Sequence, residues 1–185
     1  MLTARLLAAA CLAVGAITGI TPAAAGAAAL PGADPQPLTF ACPVGTQATR
    51  FNPGFNVELR DVAFDGTGTF GGCVGVLPDP RLPVTGNSTV SGRGLFSCLV
   101  PGAGSGTFRI NWNTGRFSTI QITFVTARPN GNNVVIQQGT VTGGLFQGYA
   151  FRQVIVLATT DVLACYTEQG VKATAGPSDL LFTKI

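Results

Sequence analysis

The stretch GSGTFRINWNTGRFSTIQITFV, residues 104–125, decides how the rest of the chain is read. From Thr107 to Trp112 polar and apolar residues alternate with a period of two, which places Phe108, Ile110 and Trp112 on one face of a strand. Asn113, Thr114 and Gly115 follow as a turn, closed by the residue that accepts positive φ at no steric cost. Ile120, Ile122 and Phe124 then repeat the alternation, with Thr119, Gln121 and Thr123 between them. Two such runs joined by a short turn form an antiparallel hairpin with one apolar face.

Outward from this hairpin the same grammar recurs. Leu38, Phe40 and Cys42 alternate with Thr39 and Ala41, and Pro43 and Gly45 interrupt the strand they predict. Asn52, Pro53 and Gly54 have the chemistry of a turn. Val57 and Leu59 are out of phase with Val62 and Phe64, and a β-bulge near Arg60 and Asp61 would absorb the slip. The glycine-rich span 65–72 reads as a loop with a turn at Asp65 and Gly66, followed by a short strand from Cys73 and a stiff loop holding Pro78, Pro80 and Pro83. Beyond the hairpin, Pro129, Asn130 and Gly131 mark a turn, and two strands flank a second turn at Gly143 and Gly144. The run from Val154 to Leu157 is continuously apolar, as in a strand covered on both sides. Residues 161–168 suit a strand or one helical turn, and Gly176 and Pro177 break the chain before a final strand from Leu180 to Ile185. About nine to ten short strands with no helical period predict an all-β fold, an antiparallel β-sandwich or barrel.

Arg5 and the apolar run from Leu6 to Ile20, followed by small residues, have the form of a secretory signal peptide. The run is shorter than the roughly 20 residues a bilayer span needs, so no integral membrane span is expected after cleavage. Residues 1–29 are assigned to this leader, 30–37 to an extended Pro- and Gly-containing lead-in, and 38–185 to a single β domain. With Arg5 set aside, ten basic residues face eight acidic ones, and the arginines are scattered. Phosphate recognition needs clustered cations, so no nucleic-acid partner is expected.

Four cysteines follow the leader, Cys42, Cys73, Cys98 and Cys165. An even number in an exported chain predicts two disulfides. Sequence allows three connectivities; Cys42 with Cys73 and Cys98 with Cys165 is the pairing expected. A metal site at these cysteines lacks both C-x-x-C spacing and histidine. The chain has no histidine at all, which removes the Ser-His-Asp triad and the Cys-His couple.

Acid and base chemistry is left to carboxylates, as in glycoside hydrolysis, where two of them flank a cleft. Glu58 and Glu168 are the candidates such an enzyme would use. Asp61, Asp65 and Gly66 do not meet the spacing of a calcium loop, and the glycines 102, 104 and 106 lead into a strand and so offer no helix N-terminus to an anion. No catalytic residue, metal or cofactor is assigned. Trp112, flanked by Asn111 and Asn113, is a candidate ligand contact, a ring for stacking with amides beside it, although its phase with Phe108 and Ile110 equally predicts core packing.

The run from Cys98 to Thr119, with Trp112 and Thr114-Gly115, followed by Gln138-Gly-Thr-Val-Thr-Gly143 and Cys165, resembles small secreted disulfide-linked β-proteins of actinobacteria. The resemblance implies an exported β domain and carries over no catalytic residue. The expected function is that of a secreted, non-enzymatic binding or cell-envelope-associated module, partnered by an extracellular protein or glycan. The alternatives are a carboxylate-based carbohydrate-active enzyme and a secreted protease inhibitor presenting the proline-containing loop 77–85.

Overall fold

A computed structural model of the chain describes residues 38–76, 79–127, 133–157 and 162–185. The leader, the lead-in and the turn at Pro129 to Gly131 lie outside the described residues. The strands are β1 (Thr39–Phe55), β2 (Arg60–Gly71), β3 (Val74–Gly75), β4 (Gly86–Phe96), β5 (Ala103–Trp112), β6 (Phe117–Ala127), β7 (Asn133–Gly144), β8 (Tyr149–Leu157) and β9 (Val171–Lys184), with a 3-10 turn at Val162–Tyr166. Of the two architectures expected, the fold is the barrel. Each long strand pairs antiparallel with its sequence neighbour, and β1 pairs with both β2 and β9, which closes eight strands into a ring. The two-residue β3 adds to β1 at Phe40 and Ala41. Closure leaves the ring no free edge for another chain to pair with.

Alternation then sorts every strand into an inner and an outer face. The opening hairpin is β5 and β6, and Phe108, Ile110, Trp112, Ile120, Ile122 and Phe124 all point inward and are buried. The outer face is polar. One row across the wall pairs Thr67 with Thr89, Thr89 with Arg109 and Arg109 with Thr119.

Glycine and proline interrupt fewer strands than their placement in the sequence suggests. Residues expected to form a loop, 65–71, belong to β2, because Gly66 and Gly68 face inward under the side chain of Gln47; a Cβ on Gly68 would lie 2.6 Å from Gln47 Oε1 and 2.8 Å from Ser88 Oγ. No bulge lies at Arg60 and Asp61, which open β2 in unbroken register with Phe96 and Leu95; the phase slip falls in the β1–β2 connection at 56–59, and the β1–β9 register shifts between Cys42 and Gly45, where Pro43 and Val44 both face outward, and again between Arg50 and Phe55. Strand β1 runs through Asn52, Pro53 and Gly54 to Phe55. Strand β9 runs through Gly176 and Pro177, and the missing proline N–H falls just past the last β8–β9 pair, Ile155 with Ser178. The turn expected at Gly143 and Gly144 lies at 145–148, with Phe146 at φ 64°. Val156 is 40% exposed, so β8 is covered on its inner side only.

The two ends of the ring differ. At the base, Phe146 folds under the strands from the β7–β8 turn and packs on Phe40 (4.6 Å between centroids), Phe182 (5.1 Å) and Trp112 (6.2 Å). This aromatic plug is buried and the Cys42–Cys73 disulfide is beside it, on β1 and the β2–β3 junction. At the opposite end the β4–β5 loop and the 3-10 turn are tied by Cys98–Cys165. Both disulfides have the expected connectivity.

Between the ends lies a polar layer. Gln47, Ser88, Gln137, Gln153 and Ser178 are buried on inward positions, and Gln47 Oε1, Ser88 Oγ, Gln137 Oε1, Ser178 Oγ and both amide atoms of Gln153 have no hydrogen-bond partner among the described residues. An unpartnered buried polar group costs about 1–3 kcal/mol. Gln153→Met removes two such atoms at similar volume, and the expected result is a more stable protein, by about 1 kcal/mol or more, read as a Tm rise of roughly 3 °C or more in a thermal melt. An unchanged or lower Tm would show that the Gln153 amide is satisfied in solution.

Candidate functional site

The open end holds the site. β1 and β4 bring three rings to it: Phe51 and Phe55 meet edge to face at 4.9 Å, and Phe96 lies 5.1 Å from Phe51 and 5.7 Å from Phe55. With Val135 from the start of β7, Leu157 from the end of β8 and the Cys98–Cys165 bridge, they line a cavity of about 70 Å³ at the barrel mouth. A second cavity of about 30 Å³ lies against the first, and Phe51, Phe96, Val135 and Leu157 line both and form the wall between them. Its further lining comes from Phe64, Phe124, Ile155, Thr49, Thr174 and Gln137. Phe96 stacks on Phe124 at 5.1 Å, and Phe64 meets Phe124 edge-on at 5.4 Å, so aromatic surface runs unbroken from the rim inward.

Around this mouth the chain exposes apolar side chains. Leu99 and Val100 stand on the β4–β5 loop, and Leu163 and Tyr166 on the 3-10 turn, at 57%, 47%, 77% and 70% exposure. The loop itself is held by Ser97, whose hydroxyl donates to the Val57 carbonyl and accepts from the Leu99 amide, and by Thr126 Oγ1, which accepts from the Gly102 amide at 2.6 Å. The Ser97 and Thr126 hydroxyls at the rim are therefore engaged in positioning it. Deeper in, Gln137 Oε1 is not engaged by any described residue. Among the described residues no charged side chain lines either cavity.

The residues singled out in the sequence fall elsewhere. Trp112 is 4% exposed, inside the base plug, and its indole N–H donates to Ser118 Oγ at 2.9 Å, which in turn donates to the Leu145 carbonyl. Asn111 accepts from Arg109 Nε, and Asn113 accepts the backbone amides of Val84 and Thr85, pinning the neighbouring loop. The two amides flank no exposed ring. Glu58 is exposed and lies 3.5 Å from Arg60, Glu168 is exposed, and neither lines the mouth. Asp61 pairs with Arg93 on the outer wall. Asp79 accepts hydrogen bonds from the Arg81 side chain and backbone, which hold its carboxyl down at about 2, far from the range of a general acid at neutral pH. In the loop proposed for protease inhibition, Leu82 is buried and its amide donates to the Asp79 carbonyl, so the described part is a turn tucked against the barrel. Among the described residues no group of three or more His, Cys, Asp or Glu side chains is placed to hold a metal, and no helix is long and apolar enough to cross a membrane.

Three residues of the site passed unnoticed in the sequence, Gln137, Phe51 and Phe96. Gln137 had a readable signal, since Val135, Gln137, Gly139 and Val141 share one phase of a strand and place a glutamine on the apolar side. The set of rings at the mouth had none, because it joins β1, β2, β4 and β6 across up to 73 residues of sequence.

No protein-family model, curated protein or solved structure matches the chain. The site must be argued from its own geometry.

Proposed function

We propose that the protein is an exported binding barrel that holds a small apolar molecule in its mouth, without covalent chemistry. The observation that carries this is the pair of adjacent cavities at the mouth: aromatic and aliphatic side chains line both, from the rim to Gln137, at one end of a barrel whose other end is plugged. Barrel mouths lined by apolar side chains with few polar groups are a recurrent form of small-molecule site. The exposed apolar rim suits capture of such a ligand from a larger surface, including a cell envelope. Two disulfides and the signal-like leader support an oxidising, extracytoplasmic location.

The test uses N-phenyl-1-naphthylamine, a neutral aromatic dye whose emission rises in apolar surroundings. Saturable binding of one equivalent is expected, and Val135→Trp, which fills the shared wall of the two cavities, weakens it at least tenfold while Val125→Trp, on the exposed outer face of β6, leaves it unchanged. Absence of saturable binding, or equal binding by both variants, overturns the reading.

A further inference from the structure

Resting on that reading, we infer the class of ligand: a neutral apolar molecule carrying one hydroxyl, whose ring sits in the outer cavity at the mouth and whose hydroxyl enters first, reaches the inner cavity and donates its proton to Gln137 Oε1.

Three features of the cavity lead there. Its walls are mostly carbon, with the Thr49 and Thr174 side chains beside Gln137 as the polar part. Phe51, Phe96, Phe124, Ile155 and Leu157 bound the space around Gln137, and the aromatic faces and edges of Phe51 and Phe96, which also line the outer cavity, favour a flat ring there. The lining contains no cation or anion, so a charged ligand would surrender its hydration with nothing to replace it. That cost excludes carboxylates and amines and leaves neutral molecules. Against this apolar lining, Gln137 is 5% exposed, lines the inner cavity, and leaves its carbonyl oxygen without a partner among the described residues. A carbonyl oxygen accepts and cannot donate, so the complementary group on the ligand is a donor.

The donor is a hydroxyl because a single carbonyl acceptor in an apolar space is met by the smallest neutral donor. Gln153 sits directly opposite Gln137 on the β7–β8 ladder, and both its amide atoms are unpartnered as well. The two glutamines thus leave each other unsatisfied although they are register partners. Gln153 lines neither cavity, so Gln137 Oε1 is the acceptor a ligand meets, and a hydroxyl is the smallest neutral group that donates to it. Both residues occupy inward positions where Leu or Met would stabilise the barrel, a pattern expected of positions kept for binding.

The experiment titrates the full folded domain with four matched rings, followed by amide chemical shifts: toluene, p-cresol, 4-methylanisole and 4-methylbenzoate. All but the last are neutral; only p-cresol donates. p-Cresol is expected to bind about three- to tenfold more tightly than toluene and 4-methylanisole, the value of one neutral hydrogen bond, and 4-methylbenzoate not measurably. Gln137→Leu should bring p-cresol down to the level of toluene while toluene binds as before, with shifts still at the mouth. A second variant, Gln137→Glu, guards against a merely structural effect: with its carboxyl protonated, at a pH below about 4 where p-cresol is neutral as well, it keeps a carbonyl acceptor and retains the preference for p-cresol. If toluene and p-cresol bind the wild type equally, or Gln137→Leu leaves their ratio intact, the hydroxyl assignment is wrong and the binding barrel stands. If 4-methylbenzoate binds best, the inference of neutrality is wrong. If none of the four shifts a mouth resonance, the binding-barrel reading fails with it.

Discussion

Replacing Cys98 and Cys165 together by alanine is expected to lower unfolding stability by about 4 kcal/mol, the loop-closure value for a bridge of this span, across the 67 residues that separate the two cysteines. That is a large part of the 5–15 kcal/mol typical of a domain. Urea unfolding of the double variant reads it as a lower midpoint, with a steeper slope because the unfolded chain without the bridge exposes more surface. The same change frees the β4–β5 loop from the 3-10 turn, and both contribute lining to the mouth, so binding of the neutral dye weakens in the same variant. The base bridge is the control. Cys42 and Cys73 are 31 residues apart, and removing them costs slightly less, about 3.7 kcal/mol, with dye binding retained by the molecules that remain folded. A loss below 1 kcal/mol at Cys98–Cys165, or equal loss of binding from the two double variants, would separate the mouth from its disulfide.

Gly104→Val is expected to do worse, leaving a chain that does not fold at 25 °C. Gly94 and Gly104 are register partners on β4 and β5, both on the inner face, with the Phe124 ring lying over them. A Cβ on Gly104 would stand 2.3 Å from the Arg93 carbonyl oxygen and 2.6 Å from Phe124, and one on Gly94 would stand 2.6 Å from Phe124 and 2.7 Å from the Ala103 carbonyl oxygen. Side chains yield to such overlap for about 1–3 kcal/mol. A carbonyl oxygen held in a ladder does not yield without breaking the wall, so the cost runs to on the order of 5 kcal/mol. Gly71→Ala, where nothing lies within 4 Å, serves as the comparison and should change stability by about 0.5 kcal/mol or less. Far-ultraviolet circular dichroism and soluble yield report both variants. A Gly104→Val protein melting at the wild-type temperature would mean that Phe124 does not occupy the glycine floor.

These glycines also show where local reading stops. In sequence, Asp65 and Gly66 look like a turn, since a strand interior disfavours glycine on entropy alone, and nothing there separates them from the glycines at 92, 94, 104 and 106 that fall within strand readings. In the barrel these glycines and Gly68 are all inward residues of β2, β4 and β5. They leave room for what the other strands send across the interior, Gln47 from β1 and Phe124 from β6. The strand boundaries were missed for this reason at 65–72, and by the same logic at Gly176, which pairs with Gln47 on β1. Trp112 marks the opposite case. Its phase already placed it with Phe108 and Ile110, and it lies with them in the interior, hydrogen-bonded to Ser118.

What the amino-acid order determined by itself was everything that depends on neighbours along the chain: period-two strands, the β5–β6 hairpin, an all-β fold, paired cysteines, and a histidine-free composition that closes off imidazole chemistry. Only tertiary structure decided that the sheet closes, because closure rests on β1 finding both β2 and β9, the latter more than a hundred residues away, and no local pattern specifies a pairing across that distance. From closure comes the rest. It turns inward-facing glutamines into a buried polar layer, sends Phe146 to plug one end, and gathers Phe51, Phe55 and Phe96 at the other, where the cavity is.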